Sequence, residues 1–157
     1  MSHLYLLIKL VHVLGAAVLF GTGLGIAFFM FMAHRSGEPA AIAHTARIVV
    51  VADALFTATA VVVQPLTGWA MAVLVGYSIF HFWIRATLVL YVFVGLCWLP
   101  VVWIQWRMRD LAAAAAREGT ALPARYHAYF KIWFWLGWPA FAGVLAIFVL
   151  MIWRPHW

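Results

Sequence analysis

The chain has 157 residues, of which 68% are hydrophobic and only 9% charged. Soluble domains average about 25% charged residues, so this composition excludes a soluble globular protein. A formal net charge of +6 in so apolar a chain marks loops that face anionic lipid, not a surface for nucleic acid. The lone cysteine, Cys97, rules out an internal disulfide and any Cys-pair metal or iron–sulfur site.

Several runs reach the roughly 20 apolar residues needed to cross a bilayer. The expected fold is all-α: a four-transmembrane-helix bundle in a single domain over residues 1–157, with helices near 2–34, 38–75, 82–118 and 123–153. The first run lacks a basic leader segment and is too long for a signal-peptide core, so it reads as a retained span. It carries Lys9 and His12 at i and i+3, on one helical face. Small residues follow at Gly15, Gly21 and Gly25 and thin the helix. Gly21 and Gly25 form a small-xxx-small pair, which packs two helices or lets a flat ring come close.

Arg35-Ser36-Gly37-Glu38-Pro39 breaks the chain, with Pro39 placed for a first helical turn. The second span then carries Asp53, Thr57, Ala60, Gln64 and Thr67/Gly68 at i, i+4, i+7, i+11 and i+14. This is one polar stripe, which in lipid should face the bundle interior. Pro65 frees the carbonyl of Val61, so a kink is expected near Gln64.

The third span opens at Trp83 and Arg85, with Tyr91, Trp98 and Gln105 on a shared face. It should run on through an alanine-rich stretch to Gly119, a good residue for ending a helix. Pro123 opens the fourth span, and Gly137-Trp138-Pro139 should interrupt it. Trp69, Trp98 and Trp138 are deep and read as core; Trp103, Trp106, Tyr126 and Trp133 read as an interfacial belt.

Arg35, Arg47, Arg107, Arg109, Arg117, Arg125 and Lys131 flank the 1–2 and 3–4 loops; only Lys9, Arg85 and Arg154 lie on the opposite side. The positive-inside rule therefore puts those loops, and the ends of the second and third helices, in the cytoplasm. Both termini fall in the periplasm or outside the cell. The expected location is the bacterial inner membrane, as a multi-pass protein whose first partner is the lipid bilayer. A homo-oligomer or a larger membrane complex is the further partner considered.

Helical rise puts His12 about 12 Å below the outer surface, level with Gln64, Thr67 and Tyr91. Asp53 falls in the inner half, near Arg47, Arg107 and Gln105 and beyond reach of Lys9, which would snorkel outward. Intramembrane ionisable groups are functional candidates by default. For His12 three readings stand open: a structural imidazole bonded to Tyr91, Gln64 or Thr67, an axial ligand to haem iron, or a transition-metal or proton-relay group. The remaining histidines, His3, His81 and His156 outside and His34, His44 and His127 inside, read as solvated. A second axial ligand would be Met71, Lys9, a group from another subunit, or none.

Nearly the whole chain resembles an uncharacterised family of bacterial predicted integral membrane proteins. The resemblance rests on Lys9-Leu10-Val11-His12, Arg47 through Asp53, Gln64-Pro65-Leu66-Thr67-Gly68, Trp98-Leu99-Pro100-Val101, Arg107-Met108-Arg109-Asp110-Leu111 and Gly137-Trp138-Pro139-Ala140-Phe141. More distantly, the Lys9–Gly21 segment and Trp83 with Arg85 resemble HemJ-type protoporphyrinogen oxidases and CopD-type copper-resistance proteins. That likeness implies haem b as the one cofactor, with His12 as its ligand and Lys9 and Arg85 near the propionates. Tyr91, Gln64 and Thr67 would surround it, giving a membrane oxidoreductase or electron-transfer protein. The alternatives are a non-enzymatic accessory or CopD-like metal-handling protein, or a structural subunit of a larger complex.

Overall fold

The computed structural model describes residues 3–155; Ser2, His156 and Trp157 lie outside the described residues. Among these it is all helical, with four helices long and apolar enough to cross a membrane and no strand. The first is α1, His3–Ser36. The second span is composite: α2, Pro39–Ala52, a π-helical turn at Asp53–Thr57, and α3, Ala58–Val75. The third is α4, Phe82–Glu118, and the fourth is α5, Ala124–Trp153.

Local chemistry accounts for the ends. Pro39 occupies the start of α2, where its missing N–H costs nothing. Gly76 and Gly119 take left-handed conformations (φ 78° and 63°) that close α3 and α4, a geometry other residues adopt only at a cost. Arg154 takes the same conformation (φ 43°) after α5 without being glycine. Its guanidinium lies over the rings of Trp83 (5.7 Å) and Tyr77 (6.0 Å), and Nη1 donates to the Tyr77 hydroxyl (3.3 Å).

One expected interruption does not occur: the fourth span runs as one helix through Gly137-Trp138-Pro139. The second span continues as α-helix through Pro65. A proline's fixed φ suits a helix; its damage is the carbonyl it orphans four residues back. At Pro65 that carbonyl belongs to Val61, and the Tyr91 hydroxyl of α4 donates to it. The departure from α geometry lies instead at Asp53–Thr57, where the Ala58 N–H reaches back to the Asp53 carbonyl.

Packing is uneven along the bundle. The hydrophobic core gathers at the end bearing the α1–α2 and α4–α5 loops, where Met30, Ile42, Met108 and Tyr126 are fully buried. Trp133 joins this core, so it and Tyr126 are not the interfacial belt residues expected from sequence, whereas Trp103 and Trp106 remain exposed. His34, expected in solvent, is stacked on Phe130 (ring centroids 3.5 Å apart), with its Nδ1 3.3 Å from the Tyr126 hydroxyl. At that end α4 packs on both α5 and α2; toward the termini the backbones of α1 and α3, and of α4 and α5, run as pairs, α3 hardly approaches α4, and Phe20 of α1 bridges to Phe141 (5.3 Å) and Phe148 (5.6 Å) of α5. Trp69 and Trp138, read as core, point outward at 58% exposure each, where lipid would cover them. Deep positions on a transmembrane helix are as apt to face hydrocarbon as protein, and hydropathy does not separate the two.

Tyr91→Phe should lower unfolding stability in detergent by about 1–2 kcal/mol, because it leaves the Val61 carbonyl unsatisfied. In a Pro65→Ala background the restored N–H takes that carbonyl, and the same Tyr91→Phe change should cost almost nothing. A double-mutant cycle of denaturation midpoints measures the coupling.

Candidate functional site

Two polar groupings lie within the spans, both built on the second. Toward the termini, α3 presents Gln64, Thr67 and Gly68 to α1. His12 is half-buried there, with Nδ1 2.8 Å from the Thr67 hydroxyl oxygen. The Gln64 amide donates to the backbone carbonyl of His12 (2.8 Å) and not to its ring. Tyr91, considered as a partner for His12, is committed to Val61. Of the sequence candidates, the structure therefore joins His12 with Thr67 and Gln64 and leaves Tyr91 on the Pro65 repair.

The contacts of Thr67 favour one tautomer. Its hydroxyl has one proton, and the carbonyls of Val63 (2.7 Å) and Gln64 (3.2 Å) are both placed to take it within the same helix. With the proton on either carbonyl, the hydroxyl oxygen accepts from His12, Nδ1 carries the hydrogen and Nε2 the lone pair. Among the described residues Nε2 has no hydrogen-bond partner. The result is an oriented neutral imidazole with one open nitrogen.

Two glycines make room for this arrangement. A Cβ on Gly68 would meet His12 Cε1 at 3.4 Å, and one on Gly15 would come within 2.5 Å of Gln64 Nε2. Their space is filled by His12 and Gln64 themselves, so these are close-approach glycines between α1 and α3. Gly21 has nothing within 4 Å of an added Cβ, and Gly25 meets only Phe29 of its own helix. The expected Gly21/Gly25 packing is thus not made within this chain, because α1 turns Gly15 toward α3 instead. Lys9 is exposed on α1 and Arg85 on α4; neither forms an ion pair among the described residues, where the one ion pair is Arg109–Asp110 at 2.8 Å.

The second grouping lies deeper toward the loops. Asp53, at the first position of the π-helical turn, is 4% exposed. Trp98 Nε1 donates to its Oδ1 (3.3 Å). With its amide nitrogen turned toward Asp53, the orientation in which both amide atoms find partners, Gln105 donates to Oδ2 (3.2 Å) and accepts from Trp133 Nε1 (3.3 Å). Sequence placed Asp53 near Gln105 correctly but also near Arg47 and Arg107, and neither arginine pairs with it. Trp133 and the buried Thr57 complete the grouping. Burial of Trp133 was legible only as one aromatic among many.

A family model for DUF2269, described as a predicted integral membrane protein, matches residues 6–155. The chain belongs to the DUF2269 family. No curated protein and no solved structure matches it. The DUF2269 match runs across both polar groupings and all four spans. Within the described part of this DUF2269 chain, no three His, Cys, Asp or Glu side chains converge as a metal cage. At His12 it offers a metal one imidazole nitrogen.

Gly15→Ala should displace the Gln64 amide from the His12 carbonyl and loosen α1 from α3, costing about 1–2 kcal/mol. Gly21→Ala, with open space around it, should stay within about 0.5 kcal/mol of the parent. Thermal unfolding of the two variants in the same detergent compares them directly.

Proposed function

We propose that this chain is a membrane redox protein of the bacterial inner membrane that carries one b-type haem on His12. The observation that supports the reading is the placement of the imidazole: Nδ1 lies against the Thr67 hydroxyl, whose own proton a carbonyl of the same helix can take, and Nε2 has no hydrogen-bond partner among the described residues. A metal-ligating histidine needs that arrangement, its second nitrogen fixed by a neighbour that sets tautomer and ring orientation. The donor set would hold the group by one histidine bond: His3 and His81 lie at the terminal end of the bundle, and His34, His44 and His127 at the loop end.

In this reading the haem, when bound, supplies one-electron chemistry. His12 gives the axial nitrogen, and Thr67 keeps that nitrogen basic by accepting from Nδ1. Gln64 holds the backbone of His12 against α3, so the ring cannot swing with α1. Lys9 and Arg85, exposed cations toward the same end of the bundle, are the groups for propionates. The cation distribution supports a periplasmic side for this end, and with it a periplasmic or quinone-level electron partner.

A second reading, a subunit of a larger membrane complex, has its own support in the Gly21–Gly25 face of α1. That face is thin enough for a close helix neighbour, and within the chain nothing packs on it.

Purified protein should show a Soret band that sharpens and shifts on dithionite reduction. His12→Ala should abolish it, and Thr67→Val should retain haem about 10–100-fold less tightly. A colourless preparation from haem-replete cells, or a band unaffected by His12→Ala, removes the haem reading. Stable co-purification of other membrane subunits with a colourless chain would establish the second.

A further inference from the structure

The inner grouping around Asp53 has the makings of a site independent of His12. Its carboxyl is the one acidic side chain of the second span, Asp110 and Glu118 lying at the loop end of α4, and it is buried at 4% exposure. No lysine, arginine or histidine nitrogen lies within 4.0 Å of it among the described residues. The surrounding elements supply no counter-charge either. On α1 nothing titrates between His12 and His34; on α5 nothing titrates between Lys131 and Arg154. On α4 only Cys97 titrates between Tyr91 and Arg107, and on the second span only Asp53 itself titrates between Arg47 and Tyr77. A fixed structural carboxylate in hydrocarbon would be paired with a cation, since an unpaired buried charge costs several kcal/mol.

The shell is divided in a way that suits both charge states. Two neutral N–H donors, from Trp98 and Gln105, face the two carboxyl oxygens. They solvate the anion but have no lone pair for a carboxylic-acid proton. That acceptor is present one turn along. Thr57 is 6% exposed, and its hydroxyl is close enough to the carboxyl to donate to the anion or to accept from the acid. It makes no hydrogen bond of its own. It sits at the last position of the π-helical turn, a local geometry that recurs at functional positions in helices. A metal or alkali cation is a poor occupant, because it needs a cage of oxygen lone pairs and both carboxyl oxygens already face N–H groups.

We propose that Asp53 is a reversible proton-binding site inside the membrane, taking one proton from the aqueous phase to pass from carboxylate to carboxylic acid. Trp98 and Gln105 hold the ionised form, and the Thr57 hydroxyl receives the hydrogen bond of the protonated form. This does not rest on the haem reading: it uses none of the groups around His12 and predicts no pigment.

The test is an infrared titration of the protein in lipid bilayers, in H2O and D2O, across the pH range over which it stays folded. A carboxylic-acid C=O band should rise as pH falls, shift in D2O and vanish in Asp53→Asn. Gln105→Leu removes a donor to the anion, so the pH midpoint of that band should rise by about one unit. Thr57→Val removes a hydroxyl whose charge-assisted bond to the anion is stronger than its bond to the acid, so the midpoint should rise there too. Upward movement in both variants is the signature, and it remains readable if Asp53→Asn fails to fold. A band absent at every pH, constant at every pH, or moved downward by either variant would overturn the proposal.

Discussion

A bilayer interior gives a polar group nothing to bond with, so every departure from a plain apolar helix must be answered by another part of the chain. Pro65 shows the rule most simply. Its ring deletes one N–H, the Val61 carbonyl loses its partner, and Tyr91 of a different span supplies the missing proton. The proline is affordable only because α4 stands where it does, so a local defect becomes a long-range tie between the second and third spans. The same logic runs through His12, whose ring is answered by Thr67 and whose backbone is answered by Gln64. Each of these bonds between helices ties two of them together in a medium where burial of apolar surface alone gives them little reason to associate.

That requirement explains why cohesion is distributed so unevenly. The loop end holds together by shape: Met30, Ile42, Met108 and Tyr126 interlock without exposure, and the His34–Phe130 stack closes the end. Toward the termini there is little such packing between the α1–α3 and α4–α5 pairs, and the specific contacts there are mostly hydrogen bonds and close-approach glycines. Gly143 works in this way on the other pair, where an added Cβ would meet Val94 at 2.6 Å. A loosely packed end held by a few polar ties is where a membrane protein can admit a ligand or a neighbour without dismantling its core.

Much of this was legible in the sequence. Hydropathy runs gave the all-helical, four-span character, and the residues that carried the family resemblance lie within the matched DUF2269 segment. The Pro65–Val61 orphan was legible from the four-residue arithmetic of the helix, although the residue that answers it was not. The partnership of His12 with the Gln64–Thr67 level followed from depth. Lost were the faces. Trp69 and Trp138 read as core because depth is visible in sequence and direction is not, and Trp133 read as interfacial for the same reason. The polar stripe was drawn with a strict α period, which a π-helical turn does not obey.

That turn does more than misplace a prediction. In an unbroken α-helix, Asp53, Gln64 and Thr67 would fall on one face and compete for the same neighbours. The extra residue at Asp53–Thr57 rotates everything after it by about 100° relative to what came before. Asp53 accordingly meets α4 and α5, while Gln64 and Thr67 meet α1. Eleven residues of helical rise separate Asp53 from Gln64, about 16 Å, and the residues between are apolar apart from Thr57 and Thr59. Thr59 spends its hydroxyl on carbonyls of its own helix. No chain of side-chain hydrogen bonds therefore joins the two groupings along the second span. One helix thus carries two separately wired polar centres at two depths, and the irregular turn between its halves is the device that lets each centre have its own set of partners.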